Sequence, residues 1–77
     1  MTKTITANIP ATRKIVKGKV WTTEAYTATF DCNEAGQWTY REHGERLLAD
    51  EVIDVCRKAT NWTAIRQTHF PMFGFHN

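Results

Sequence analysis

The chain has 77 residues, 42 % of them hydrophobic and 12 % aromatic, and a formal net charge of +2. That describes one small domain with apolar matter for one core, which argues against disorder and excludes a two-half dinucleotide fold and a barrel of eight strands and helices. A domain of this size buries only about 60 % of the surface its unfolded chain exposes, so little apolar surface is left to enclose a deep active site.

In chain order, residues 3–9 alternate, with Ile5, Ala7 and Ile9 against Thr4, Thr6 and Asn8, up to Pro10. They read as an N-terminal arm or an additional strand within residues 1–12. Residues 13–22 read as one strand, with Val16, Gly18 and Val20 on one face and Ile15, Lys17, Lys19 and Trp21 on the other. Residues 25–32 form the next strand, whose apolar face is Tyr26, Ala28, Phe30 and Cys32. Asn33-Glu34-Ala35-Gly36 predicts a turn with a left-handed glycine at its end. Residues 37–42 return as a third strand, with Trp38 and Tyr40 on the core side. The twelve threonines and the lack of serine support strands and exclude a serine nucleophile.

His43-Gly44 ends the alternation, and from Glu45 to about Ala59 the period becomes helical. Leu48, Ala49, Val52, Val55, Cys56 and Ala59 share one arc, with Asp50 as an alternative cap of a shorter helix and Asn61 as a left-handed stop. Residues 62–69 predict a closing strand ended by Pro71, and residues 70–77 form an aromatic tail. The expected fold is α+β in a single domain spanning residues 1–77: an antiparallel β-meander and a closing strand, with one amphipathic helix on one face, in the order β-β-β-α-β. Val20, Tyr26, Phe30, Trp38 and Tyr40 are expected to pack on Leu48, Val52, Val55 and Cys56.

Charge is unevenly spread. Residues 1–21 hold Lys3, Arg13, Lys14, Lys17 and Lys19 and no acid, whereas residues 22–77 hold five basic and eight acidic side chains. No run of about 18 apolar residues and no signal-peptide core occurs, and two cysteines are too few for a small secreted scaffold, so a cytoplasmic protein is expected. Cys32 and Cys56 lie on core faces, and no His or Cys spacing matches a zinc motif, so neither a metal nor another cofactor is expected. Asp50, Glu51 and Asp54 form a solvated helix face rather than a catalytic pair, and no enzyme is expected.

Two binding readings remain. Lys17, Lys19 and Trp21 on one strand face, with Arg41 nearby, would suit a nucleic-acid partner. Three apolar features left over from a small core suit a protein partner better: Leu47 among the helix charges, Trp21 with Ile15 on the lysine face, and Phe70, Met72, Phe73 and Phe75 in the tail. The candidate partner-binding residues are therefore Lys17, Lys19, Trp21, Arg41, Leu47, Phe73 and Phe75.

The order of elements over residues 13–69, a meander, one helix and a closing strand, resembles that of small phage-encoded inhibitors, including some anti-CRISPR proteins. The resemblance is architectural and carries over no functional residue. It implies a non-enzymatic protein that binds, and thereby inhibits, a larger protein or ribonucleoprotein in the host cytoplasm. Many such proteins are acidic mimics of nucleic acid, and the +5 of residues 1–21 departs from that pattern.

Overall fold

In the computed structural model, which describes residues 2–71, the first half of the chain is one long hairpin folded back at Lys17-Gly18. Strand β1 (Lys3–Ile9) pairs antiparallel with β4 (Tyr26–Cys32), from Lys3 opposite Cys32 to Ile9 opposite Tyr26. Strand β2 (Thr12–Val16) pairs with β3 (Lys19–Thr23), from Thr12 opposite Thr23 to Val16 opposite Lys19. The two ladders keep one register. The break between them falls at Pro10-Ala11 and Glu24-Ala25, where proline has no N–H to donate.

The strand expected over residues 13–22 is thus a hairpin. Lys17 (φ 52°) and Gly18 (φ 77°) are both left-handed, as a two-residue type I′ turn requires. The turn reverses the faces. Residues opposite each other share a side, so Lys14, Val16, Lys19 and Trp21 lie on one face, and Arg13, Ile15, Val20 and Thr22 on the other. Every residue of β2 and β3 is exposed. The radius of gyration of 14.2 Å, against about 11 Å for an ordinary domain of this length, reflects that projection.

From β4 the chain meanders as expected. Asn33 holds the turn to β5 (Trp38–Tyr40): its Oδ1 accepts the N–H groups of Ala35 and Gln37, each at 3.0 Å. Gly36 takes the left-handed position at φ 81°. A second reversal over residues 41–44 leads to β6 (Glu45–Leu47), which completes a four-stranded sheet in the order β1-β4-β5-β6. The helix expected from Glu45 therefore begins only at α1 (Ala49–Cys56), because Leu47 pairs with Trp38 in the sheet. Glu51 accepts the Leu48 N–H at 2.9 Å and closes the first turn of α1.

The predicted closing strand is instead helix α2 (Trp62–His69). Trp62, Ile65, His69 and Phe70 recur at helical spacing, and that spacing overrides the threonines between them. Both helices lie against β1. The junction between them caps the exposed edge of that strand. Asn61 accepts the Asn8 N–H at 3.0 Å and donates to the Thr6 carbonyl at 2.8 Å, while the Thr60 N–H donates to the Asn8 carbonyl at 2.8 Å. Asn61 is thus no left-handed stop: its φ is −101°, and its side-chain amide imitates a neighbouring strand.

The outcome is an α+β domain in which helices cover one face of an antiparallel sheet. Its core is Ile5, Ala7, Ile9, Ala28, Phe30, Cys32, Trp38, Val52, Cys56, Ala59 and Ile65, with Tyr40, Leu47, Val55, Trp62 and Phe70 partly buried around it. Of the expected core, Val20, Tyr26 and Leu48 are exposed instead. Val20 lies beyond the end of the core, Tyr26 stands where the core ladder ends, and Leu48 is the flanking residue that starts α1.

Truncation of Trp38 to Ala should destabilise the protein by about 3–5 kcal/mol, because it removes a large ring from the core. Asn61→Ala should cost about 0.5–1.5 kcal/mol through loss of the strand cap. Ile15→Ala, in the exposed hairpin, should stay within about 0.5 kcal/mol of the parent. Urea unfolding of the three variants checks the order; an Ile15→Ala loss as large as that of Trp38→Ala would place the β2–β3 hairpin inside the core.

Candidate functional site

The helix-free face of the sheet carries Thr4, Thr6, Thr27 and Thr39, together with Asp31, Arg46 and the buried Thr29. Here Asp31 joins three elements. Its Oδ1 accepts from the Thr4 hydroxyl at 2.9 Å and from Arg41 Nη2 at 2.7 Å, and its Oδ2 accepts from Arg41 Nε at 2.9 Å. The guanidinium is thus engaged fork to fork. These bonds hold the Asp31 carboxyl below its ordinary range, Arg41 first and Thr4 second. Glu42 replaces a missing strand partner: the Thr29 N–H donates to its carboxylate at 2.8 Å, which holds the Glu42 carboxyl low as well. Beside it the Arg41 N–H donates to the Thr29 carbonyl at 2.8 Å.

Arg41 accordingly ties the β5–β6 turn to β4, and its charge is matched by Asp31. It lies in that turn, outside either sheet, whereas Lys19 and Trp21 lie in β3 and Lys17 in the turn before it, so the four residues do not share one strand pair. Leu47, expected among helix charges, is partly buried in β6 against the core. Phe73 and Phe75 lie outside the described residues. Phe70, at the start of the tail, packs with its ring centroid 6.2 Å from that of Trp38 and 6.5 Å from that of Trp62.

What remains of the candidate set lies on the β2–β3 arm, joined by residues the sequence reading did not single out. Arg13, Lys14, Lys17 and Lys19 place four cations in seven residues, and the first acid of the chain is Glu24. Among the described residues no carboxylate forms a salt bridge with them. Ile15 is 67 % exposed, Trp21 62 % and Val20 50 %, and Val16 is exposed too. Most of the large exposed apolar side chains are therefore on a two-stranded arm that carries one sign of charge. The signal that could have found it is Lys17-Gly18, a two-residue turn between β-branched pairs at Ile15-Val16 and at Val20.

The rest of the surface offers less. A hollow of about 230 Å³ lies beside Trp38 and Leu48, and another of about 410 Å³ around Asp31 and Arg41. Both are open to solvent rather than closed around a small molecule. Among the described residues no three His, Cys, Asp or Glu side chains gather as metal ligands. Both cysteines are buried, and burial pushes the Cys56 thiol up to about 11, away from a reactive thiolate. No helix of the described residues is long and apolar enough to cross a membrane.

Two outcomes follow from the ionisable groups. The depressed carboxyls of Asp31 and Glu42 contribute stability above the unfolded carboxylate range, and it is lost as pH falls through their folded values, below about pH 4. The melting temperature should therefore drop over that window, and the drop should be shallower in Arg41→Gln, which returns Asp31 toward its ordinary value; equal slopes would show that the pair is not formed in solution. Cys56 should react with a thiol reagent at pH 8 only on unfolding, and rapid labelling of the native protein at Cys56 would contradict its burial. No protein-family model matches the chain, and neither a curated protein nor a solved structure matches it.

Proposed function

We propose that this chain is a small non-enzymatic binding protein whose β2–β3 arm docks on a polyanionic partner, a nucleic acid or the nucleic-acid face of a ribonucleoprotein. One observation carries the reading: four cations and four exposed apolar side chains share an arm that contributes nothing to the core. A two-stranded hairpin is marginal by itself in water, and among the described residues no helix shields this one, so packing sets little demand on its sequence. Lysines on an exposed strand also discourage edge-to-edge aggregation. That role alone would not place Ile15 and Trp21 in water beside them.

The sequence favoured a protein surface as the partner because three apolar features were left over. Leu47 is accounted for by the core, and Phe73 and Phe75 lie outside the described residues. Trp21 and Ile15 remain, and both lie among the cations of the arm. That moves the reading toward an anionic partner. Inhibition of a larger assembly, as in the phage-encoded inhibitors the chain resembles, would then follow from occupancy of its nucleic-acid site. A cytoplasmic location belongs to the same proposal.

Fluorescence anisotropy with labelled random-sequence DNA, single- and double-stranded, tests this. If the four arm cations each displace a counterion, log K should fall with log salt at a slope of about −3 to −4. Lys17→Glu with Lys19→Glu should remove most of the binding and leave the melting temperature unchanged. Absence of binding to either form at low salt would overturn the proposal.

A further inference from the structure

The reading of the arm as a docking element for a polyanion can be taken one step further, and the inference rests on it. We propose that the occupant is the major groove of double-stranded B-form DNA, entered by the tip of the β2–β3 arm.

The first reason is that the arm is dressed on both sides. One face carries Lys14, Val16, Lys19 and Trp21, and the other carries Arg13, Ile15 and Val20, and all of them are exposed. A flat partner would cover one face and leave the other wet. A groove has two walls and covers both, with cations available to the phosphates on either side.

The second reason is size. A two-stranded ribbon measures about 5 Å between strand axes and about 10 Å through its side chains. The major groove of B-DNA is about 12 Å wide and about 8.5 Å deep, whereas the minor groove is about 6 Å wide. The major groove of A-form RNA is deep and narrow. Five residues in β2 reach about 17 Å, enough to span the groove depth with the base of the arm outside it.

The third reason lies at the tip. Lys17 holds φ 52°, a left-handed position where asparagine or glycine sits with less strain. A lysine there keeps a cation at the foremost point of the arm against the preference of the turn.

Two other occupants fit less well. A second copy of the arm would bring four like charges against four. A single strand needs several stacking rings on one face; Trp21 is alone on its face, and Tyr26 stands at the base of the arm in the register of the opposite face.

The test compares a labelled DNA duplex of about 16 base pairs with the RNA duplex of the same sequence and with one DNA strand alone. The duplex DNA should bind at least about tenfold more tightly than either, and methylation of guanine N7, which lines the major groove, should interfere. Ile15→Ala with Trp21→Ala should weaken duplex binding about tenfold at an unchanged melting temperature. Lys17→Asn should weaken it while leaving the hairpin no less stable. Equal or tighter binding of the single strand or of the RNA duplex, or indifference to N7 methylation, would overturn the groove while leaving the polyanion reading intact. Absence of binding to every nucleic acid would overturn both. A concentration-dependent dimer that disappears with Trp21→Ala in sedimentation would make a second copy the occupant and overturn the groove as well.

Discussion

The seven-residue ladder between β1 and β4 is the constraint on which the rest of the molecule depends. Ala7 faces Ala28 across it, and neither exposes any surface. Two of the smallest side chains thus lie on the strand pair against which the helices close in. Ile5 and Phe30, the next pair, fill the space that the alanines leave and are almost wholly buried. Val52 and Cys56 of α1 and Ile65 of α2 supply the opposing layer. A shift of one residue in this register would turn the threonines of one strand, such as Thr4 and Thr6 of β1, inward and its core residues Ile5, Ala7 and Ile9 outward, so the pairing is strongly specified.

The same ladder explains why the sheet tolerates an open edge. Strand β1 is an edge strand, and unpaired edge groups invite association with another chain. Asn61 and Thr60 take up the outward-facing groups of Asn8 and the carbonyl of Thr6, so the connection between the helices serves as a partial fifth strand of the sheet. On the other side of β4, Glu42 and the Arg41 N–H satisfy Thr29 beyond the end of β5. Polar side chains finish the ladders where strands run out.

The arm is the continuation of that ladder past the place where the helices end. Pro10 interrupts the hydrogen bonding, and beyond it no described residue covers either face. Hydrophobic side chains that would be core residues over a helix are in water here, and the charge around them is of one sign. The distribution of charge along the sequence therefore becomes a distribution in space: a positive arm at one end of the molecule, and a body in which acids outnumber bases and Arg41 is paired with Asp31.

Much of the sheet was legible in the sequence. The alternation of Ile5, Ala7 and Ile9, and of Ala28, Phe30 and Cys32, is local information, and so is the Asn33–Gly36 turn, because period two and turn chemistry act over a few residues. The α+β class, the burial of both cysteines and the concentration of charge in the first 21 residues could be read in the same way. Tertiary structure decided the remainder. The sequence Ile15-Val16-Lys17-Gly18-Lys19-Val20 alternates well enough for one strand, and Lys17-Gly18 becomes a turn as Val16 pairs with Lys19. Leu47 has helical neighbours by spacing but is drawn into the sheet by Trp38. Trp62 to His69 has the threonines of a strand and the spacing of a helix; helix prevailed because Ile65 then reaches the core and Asn61 meets the edge of β1, contacts that lie more than fifty residues away along the chain.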